Sequence, residues 1–142
     1  MINDIRHTGI VVLDLEASIY FYRDLLGFQI VKQMEEKGDY IDCLLSLQNV
    51  QITTVKMTSS SGQMIELLKY HSHTVKQRKR EIYDIGVSHI AFTVGNLDVE
   101  YGRLKDKGIQ FNSPPQLSPD GYAKVAFCRA PEGTLIELVE VL

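Results

Sequence analysis

Four side chains in this sequence have types and settings that suit joint work on a metal ion. His7 opens the apolar segment Thr8-Gly-Ile-Val-Val, and His89 opens Ile90-Ala-Phe-Thr-Val. Glu66 sits within Met64-Ile-Glu-Leu-Leu, and Glu137 within Leu135-Ile-Glu-Leu-Val. A carboxylate centred in an apolar strand is costly to bury unless it is paired or coordinated. Two imidazoles and two carboxylates suit a divalent ion such as Zn, Ni, Co, Mn or Fe, and two carboxylates balance its charge. Taken singly, each residue has an ordinary explanation: a glutamate on an edge strand pointing to water, or a histidine hydrogen-bonded in a core. Recurrence of one histidine and one such glutamate per half of the chain favours the joint task. His71 and His73 have no counterparts and are expected to be surface histidines.

The elements that must position these groups recur as well. His7 to Leu15 aligns with His89 to Leu97 at an offset of 82, which also maps Asp14 onto Asn96, Ile19 onto Tyr101 and Tyr22 onto Leu104. The Ile-, Val-, Thr- and Phe-rich segments 7–13 and 89–94 suit strands. Alternation puts His7 with Gly9 and Val11 on one face, and His89 with Ala91 and Thr93 on one face, so each histidine has small neighbours. Asp14 and Asn96 are expected to cap helices. Leu15, Ile19, Tyr22 and Leu26 repeat at helical spacing, and Gly27 and Gly108 end the two helices. Further strands are expected over 40–47, 50–57 and 64–69 in the first copy, and over 122–128 and 134–141 in the second. The polar stretch Tyr70 to Gly86 reads as a linker, and its basic run Lys76-Gln-Arg-Lys-Arg80 as solvated surface or, less simply, as the rim of an anionic-ligand site. The expected organisation is one domain over 1–142, with modules at 1–69 and 87–142 and the linker at 70–86.

Composition bounds the rest. The chain has 142 residues, 44% hydrophobic and 23% charged, which is ordinary for a globular domain. A net charge of -3 gives no general attraction to nucleic acid. No apolar run is long enough to span a membrane, and Met1-Ile-Asn-Asp does not read as a basic segment leading into an apolar stretch, so no secretory signal is expected. The two cysteines, Cys43 and Cys128, form no C-x-x-C pair and read as buried free thiols in a reducing cytoplasm.

With these residues in view, the sequence resembles the vicinal oxygen chelate superfamily, which includes glyoxalase I, methylmalonyl-CoA epimerase, drug-resistance proteins and extradiol dioxygenases. The resemblance is carried by His7 with Val12, Asp14-Leu-Glu-Ala-Ser18, Phe21-Tyr22 and Leu25-Leu-Gly-Phe28. His89-Ile-Ala-Phe-Thr-Val94, Asn96-Leu-Asp98 and Arg129-Ala-Pro-Glu-Gly-Thr-Leu-Ile-Glu-Leu138 extend it to nearly the whole chain. The family's R-D-P-E/D-G turn stands here with alanine at position 130. The resemblance implies an α+β fold of paired βαβββ modules forming an open, barrel-like sheet, commonly in a homodimer. The pairing of modules within one chain or across two is left open.

The resemblance also implies the ligand set His7, Glu66, His89 and Glu137. A His/Glu/His/Glu set is like that of glyoxalase I-type lyases. Extradiol dioxygenases carry no ligand at the Glu66 position, and methylmalonyl-CoA epimerases usually carry glutamine there. The implied activity is therefore a metal-dependent lyase or isomerase of the glyoxalase I type, moving a proton through a metal-stabilised enediolate of a small oxygenated substrate. The alternatives are an epimerase, a dioxygenase and a non-catalytic small-molecule binder. Glu137 is the expected general base, with Glu66 its partner across the metal. Tyr122, Phe127 and Arg129 are candidate substrate contacts, with Tyr40 a further one. Neither nucleic acid nor membrane is an expected partner, and the cytoplasm is the expected location.

Overall fold

The structure, a computed structural model, describes residues 1–142, which divide into two compact units, Met1–Gln77 and Arg78–Leu142. The first unit begins with strand β1 (Thr8–Val11) and helix α1 (Leu15–Ile19). The Asp14 carboxylate accepts a hydrogen bond from the Ala17 N–H at 3.0 Å, as an N-cap should. The helix then widens to π geometry over Tyr20–Leu25, with the Leu26 N–H bonding back to the Phe21 carbonyl. The extra residue per turn rotates the buried face onto Ile19, Phe21, Tyr22 and Leu25, so Leu26 is left only partly covered. Gly27, at φ 81°, ends it.

Three strands complete this unit: β2 (Gln29–Lys37), β3 (Gln51–Thr58) and β4 (Met64–Tyr70). The sheet order is β1-β4-β3-β2, with β1 and β4 parallel and the other pairs antiparallel. The expected strand over 40–47 is instead helix α2 (Asp39–Leu45). Its Ile41 and Leu45 stand four residues apart, one helical turn. Ile41 is buried against Val50 and Ile52, with Leu45, Leu68 and Tyr70 packed around them. The Asp42 carboxylate accepts hydrogen bonds from Asn49 N–H and Val50 N–H, both at 2.8 Å, and so ties the helix to the start of β3. One strand missing from the expectation is β2, whose Lys and Glu residues are typical of an exposed sheet edge; the other is the two-residue strand at Gln116–Leu117 in the second unit.

The second unit repeats the plan. Strand β5 (Ile90–Thr93) leads to helix α3 (Leu97–Asp106), capped by Asn96, whose side-chain oxygen accepts from the Val99 N–H at 3.0 Å. Strands β6 (Gln116–Leu117), β7 (Ala123–Arg129) and β8 (Leu135–Val141) give the order β5-β8-β7-β6, again with the first pair parallel. Leu97 and Leu104 of α3 are fully buried. The turn before β8 is closed by backbone bonds with Ala130 in place: the Ala130 N–H bonds the Thr134 carbonyl at 3.0 Å and the Gly133 N–H the Ala130 carbonyl at 2.9 Å. Each half is therefore a βαβββ unit with a four-stranded mixed sheet that does not close on itself, and the first also carries α2. No helix is long and apolar enough to cross a membrane. Both cysteines are free thiols; Cys128 is buried, but Cys43 is exposed on α2, contrary to expectation.

Candidate metal centre

Each unit brings its histidine and glutamate together in the same way. Ile10 and Val12 turn into the core of the first unit, which puts His7 and Gly9 on the opposite face of β1. The parallel register sets Gly9 beside Glu66, and Ala91 beside Glu137 in the second unit. The small residue leaves room for the carboxylate, and the histidine two positions earlier reaches it. His7 Nε2 lies 3.0 Å from Glu66 Oε2, and His89 Nε2 lies 3.1 Å from Glu137 Oε2. Both glutamates are largely covered.

These distances bear on whether a divalent ion fits. Two donor atoms bound at right angles, with bonds of about 2.1 Å, stand roughly 3.0 Å apart. Each pair thus has the separation of two adjacent ligands. The far ring nitrogens differ. His89 Nδ1 is 2.6 Å from Ser88 Oγ, a contact that fixes the ring with Nε2 toward Glu137. His7 Nδ1 is buried without a hydrogen-bond partner. Neither unit by itself gathers three or more His, Cys, Asp or Glu side chains into a metal-holding cluster. Each contributes two donors.

Of the neighbours of the two pairs, Phe127 was expected from sequence, whereas Lys56, Thr54 and Ser88 were not. In the first unit Lys56 stands directly across from Glu66, with its Nζ 3.6 Å from Oε1, the oxygen turned away from His7. Thr54, on the same face of β3, is only 2% exposed, and its hydroxyl has no hydrogen-bond partner. In the second unit Phe127 stands across from Glu137, and its ring meets that of His89 edge-on at 5.3 Å between centroids. Lys56 carries the signal that exposed Glu66: a charge within an apolar stretch, Val55-Lys-Met57. Ser88 lies next to a site histidine.

The other expected contacts disperse. Phe127 adjoins its pair. Tyr122 is 70% exposed just ahead of β7, and Tyr40 is 75% exposed on α2. Arg129 is exposed and donates to the Gly133 carbonyl at 3.4 Å. His71 is exposed as expected, yet its Nε2 lies 2.7 Å from Thr53 Oγ1, which also bonds the Glu35 carboxylate at 2.7 Å.

Two βαβββ units, each placing a histidine beside a carboxylate at equivalent positions, define a duplicated fold class rather than one reaction. The chain belongs to the Glyoxalase/Bleomycin resistance protein/Dioxygenase superfamily, whose family model matches residues 4–138. It is 29% identical to the uncharacterized protein YwkD of Bacillus subtilis over 99% of this chain and 98% of that one. It is 31% identical to a probable lactoylglutathione lyase of Synechocystis, covering 94% and 92% of the two chains. A lactoylglutathione lyase of Schizosaccharomyces pombe is 28% identical over 95% of this chain, which spans 46% of that longer protein. Among solved structures, a glyoxalase family protein from Bacillus cereus has the same fold, with a TM-score of 0.89 at 21% identity, covering 100% of this chain and 96% of that one.

Proposed function

We propose that the protein is a metal-dependent lyase or isomerase of the glyoxalase I type, with His7, Glu66, His89 and Glu137 as the ligands of one divalent ion. The observation that carries this reading is the repeated contact of histidine Nε2 with glutamate Oε2, at 3.0 Å and 3.1 Å, in two units of one plan. The named lyases among the relatives support the reaction class.

A divalent ion held there supplies Lewis-acid polarisation of a substrate oxygen. The side chains do the rest. When His89 Nδ1–H donates to Ser88, the Nε2 lone pair is left for ligation. The Glu137 carboxylate takes a proton from a carbon bearing oxygen and returns it to the neighbouring carbon, so the substrate is isomerised without a net change of oxidation state. Phe127 beside His89 limits water around that carboxylate. Glu66 serves as its counterpart.

Two measurements test the reading. Elemental analysis of the purified protein should find one divalent ion per chain. Incubation in deuterium oxide with the hemithioacetal of methylglyoxal and glutathione, or with other small hydroxycarbonyl compounds, should show metal-dependent deuterium exchange that Glu137→Gln abolishes. A protein that takes up no divalent ion, or an E137Q variant exchanging at the wild-type rate, overturns it.

A further inference from the structure

The duplicated plan provides an internal comparison. Residues 54 and 56 of β3 correspond, by their pairing with β4, to residues 125 and 127 of β7: Thr54 and Val125 oppose Leu68 and Val139, and Lys56 and Phe127 oppose the two glutamates. The second unit forms the same sheet with Val125 and Phe127. The fold therefore does not require a hydroxyl and an ammonium in the first.

Both groups have capacity for another acceptor. A contact of 3.6 Å between Lys56 Nζ and Glu66 Oε1 is an ion pair rather than a hydrogen bond, so the three N–H donors of the ammonium are not consumed by it. The Thr54 hydroxyl is buried with no partner, an unfavourable condition that an incoming acceptor would relieve. Charge points the same way. Two carboxylates neutralise a divalent ion, and Lys56 adds one positive charge beside one of them.

We infer that Lys56 and Thr54 form an anion subsite beside the His7–Glu66 pair, so that the substrate carries a carboxylate next to its reacting hydroxyl or carbonyl carbon. This rests on the proposed function in naming its substrate class. It makes Lys56 a specificity-determining residue: the preferred substrate is a small hydroxycarbonyl compound that bears a carboxylate on its carbonyl carbon, a 3-hydroxy-2-oxo acid, over an uncharged one.

The probes are glycolate and its neutral near-isostere glycolamide, titrated calorimetrically into nickel-loaded and chelator-treated protein, with metal content measured in parallel. Wild-type protein should favour glycolate. Lys56→Met should reduce that preference about tenfold at unchanged metal content, the scale of one charged hydrogen bond. Lys56→Arg should restore most of the preference, and Thr54→Val should weaken glycolate several-fold. A K56M variant that keeps the wild-type ratio, or a wild type with no preference, overturns the subsite. If K56M does not fold, equal preference in wild type and T54V overturns it. Failure of the metal reading is seen separately, as absence of bound nickel. In that case a Lys56-dependent preference for glycolate in the metal-free protein still supports the subsite, and its absence refutes it.

Discussion

A carboxylate oxygen about 3 Å from an imidazole nitrogen shares with it either a proton or a cation, and the atoms behind the ring bear on which. Ser88 holds the far nitrogen of His89, whereas His7 has no such support. Ser88→Ala should therefore lower affinity for nickel or zinc by about 10-fold or more, as loss of an outer-shell partner does. His71→Ala, altering a histidine bonded to Thr53, should leave it unchanged; competition with a chromogenic chelator measures both. The two cysteines differ as sharply. Burial pushes the Cys128 thiol up to about 11, while Cys43 is exposed. At pH 8 the native protein should react rapidly with a thiol reagent at Cys43 alone, and Cys43→Ser should remove that phase. Because the folded state holds the Cys128 proton more tightly than the unfolded state, the sign follows from linkage. Stability from this group is complete below the ordinary value of 9.0 and is lost as the pH rises toward about 11. Urea unfolding of Cys128→Ala should show a shallower decline over that window than wild type.

At the scale of elements, the two caps are equivalent. Asp14→Ala and Asn96→Ala should each cost about 1 kcal/mol in urea unfolding, the usual value of a lost N-cap. A cost confined to one variant would show that the two helices are not anchored alike. Such features were legible in the sequence because they are local: a cap is one residue before an apolar stripe, and a strand end is a change of period. The βαβββ duplication was legible for the same reason. Helix α2 was not, because Tyr40-Ile-Asp-Cys-Leu-Leu contains both strand-like apolar density and an Ile41–Leu45 spacing of one helical turn. Its packing on Val50, Ile52 and Leu68 decided between them. Strand β2 was obscured because an exposed edge strand needs no buried alternation. The π turn in the first helix displaced Leu26 in favour of Leu25, a one-residue slip that an ideal helical period does not encode. At the candidate site, His7, Glu66, His89 and Glu137 stood out through their repetition. Lys56 and Thr54 have apolar repeat counterparts, Phe127 and Val125, and their meaning emerged only when strand pairing placed one opposite Glu66 and left the other buried without a partner.

At the scale of the whole molecule, the question is whether two similar units act on one ion. Each unit offers two donors, and a divalent ion generally takes four to six, so a single pair would hold it weakly and both pairs together tightly. An ion that binds only the folded protein stabilises it by about 2.7 kcal/mol when its free concentration is a hundred times Kd. For a chain of this size that is a rise of several degrees in Tm. Chelator treatment should therefore lower the Tm of the purified protein, and adding back nickel or zinc should restore it. The decisive comparison is between His7→Ala and His89→Ala, which lie in different units. If one ion draws on both pairs, either substitution should abolish most of the metal-dependent shift, and the double variant should lose little more. If each pair bound an ion of its own, each single variant should lose about half the shift and half the bound metal, and the two losses should add. Additive losses would remove the shared centre while leaving the duplicated fold intact.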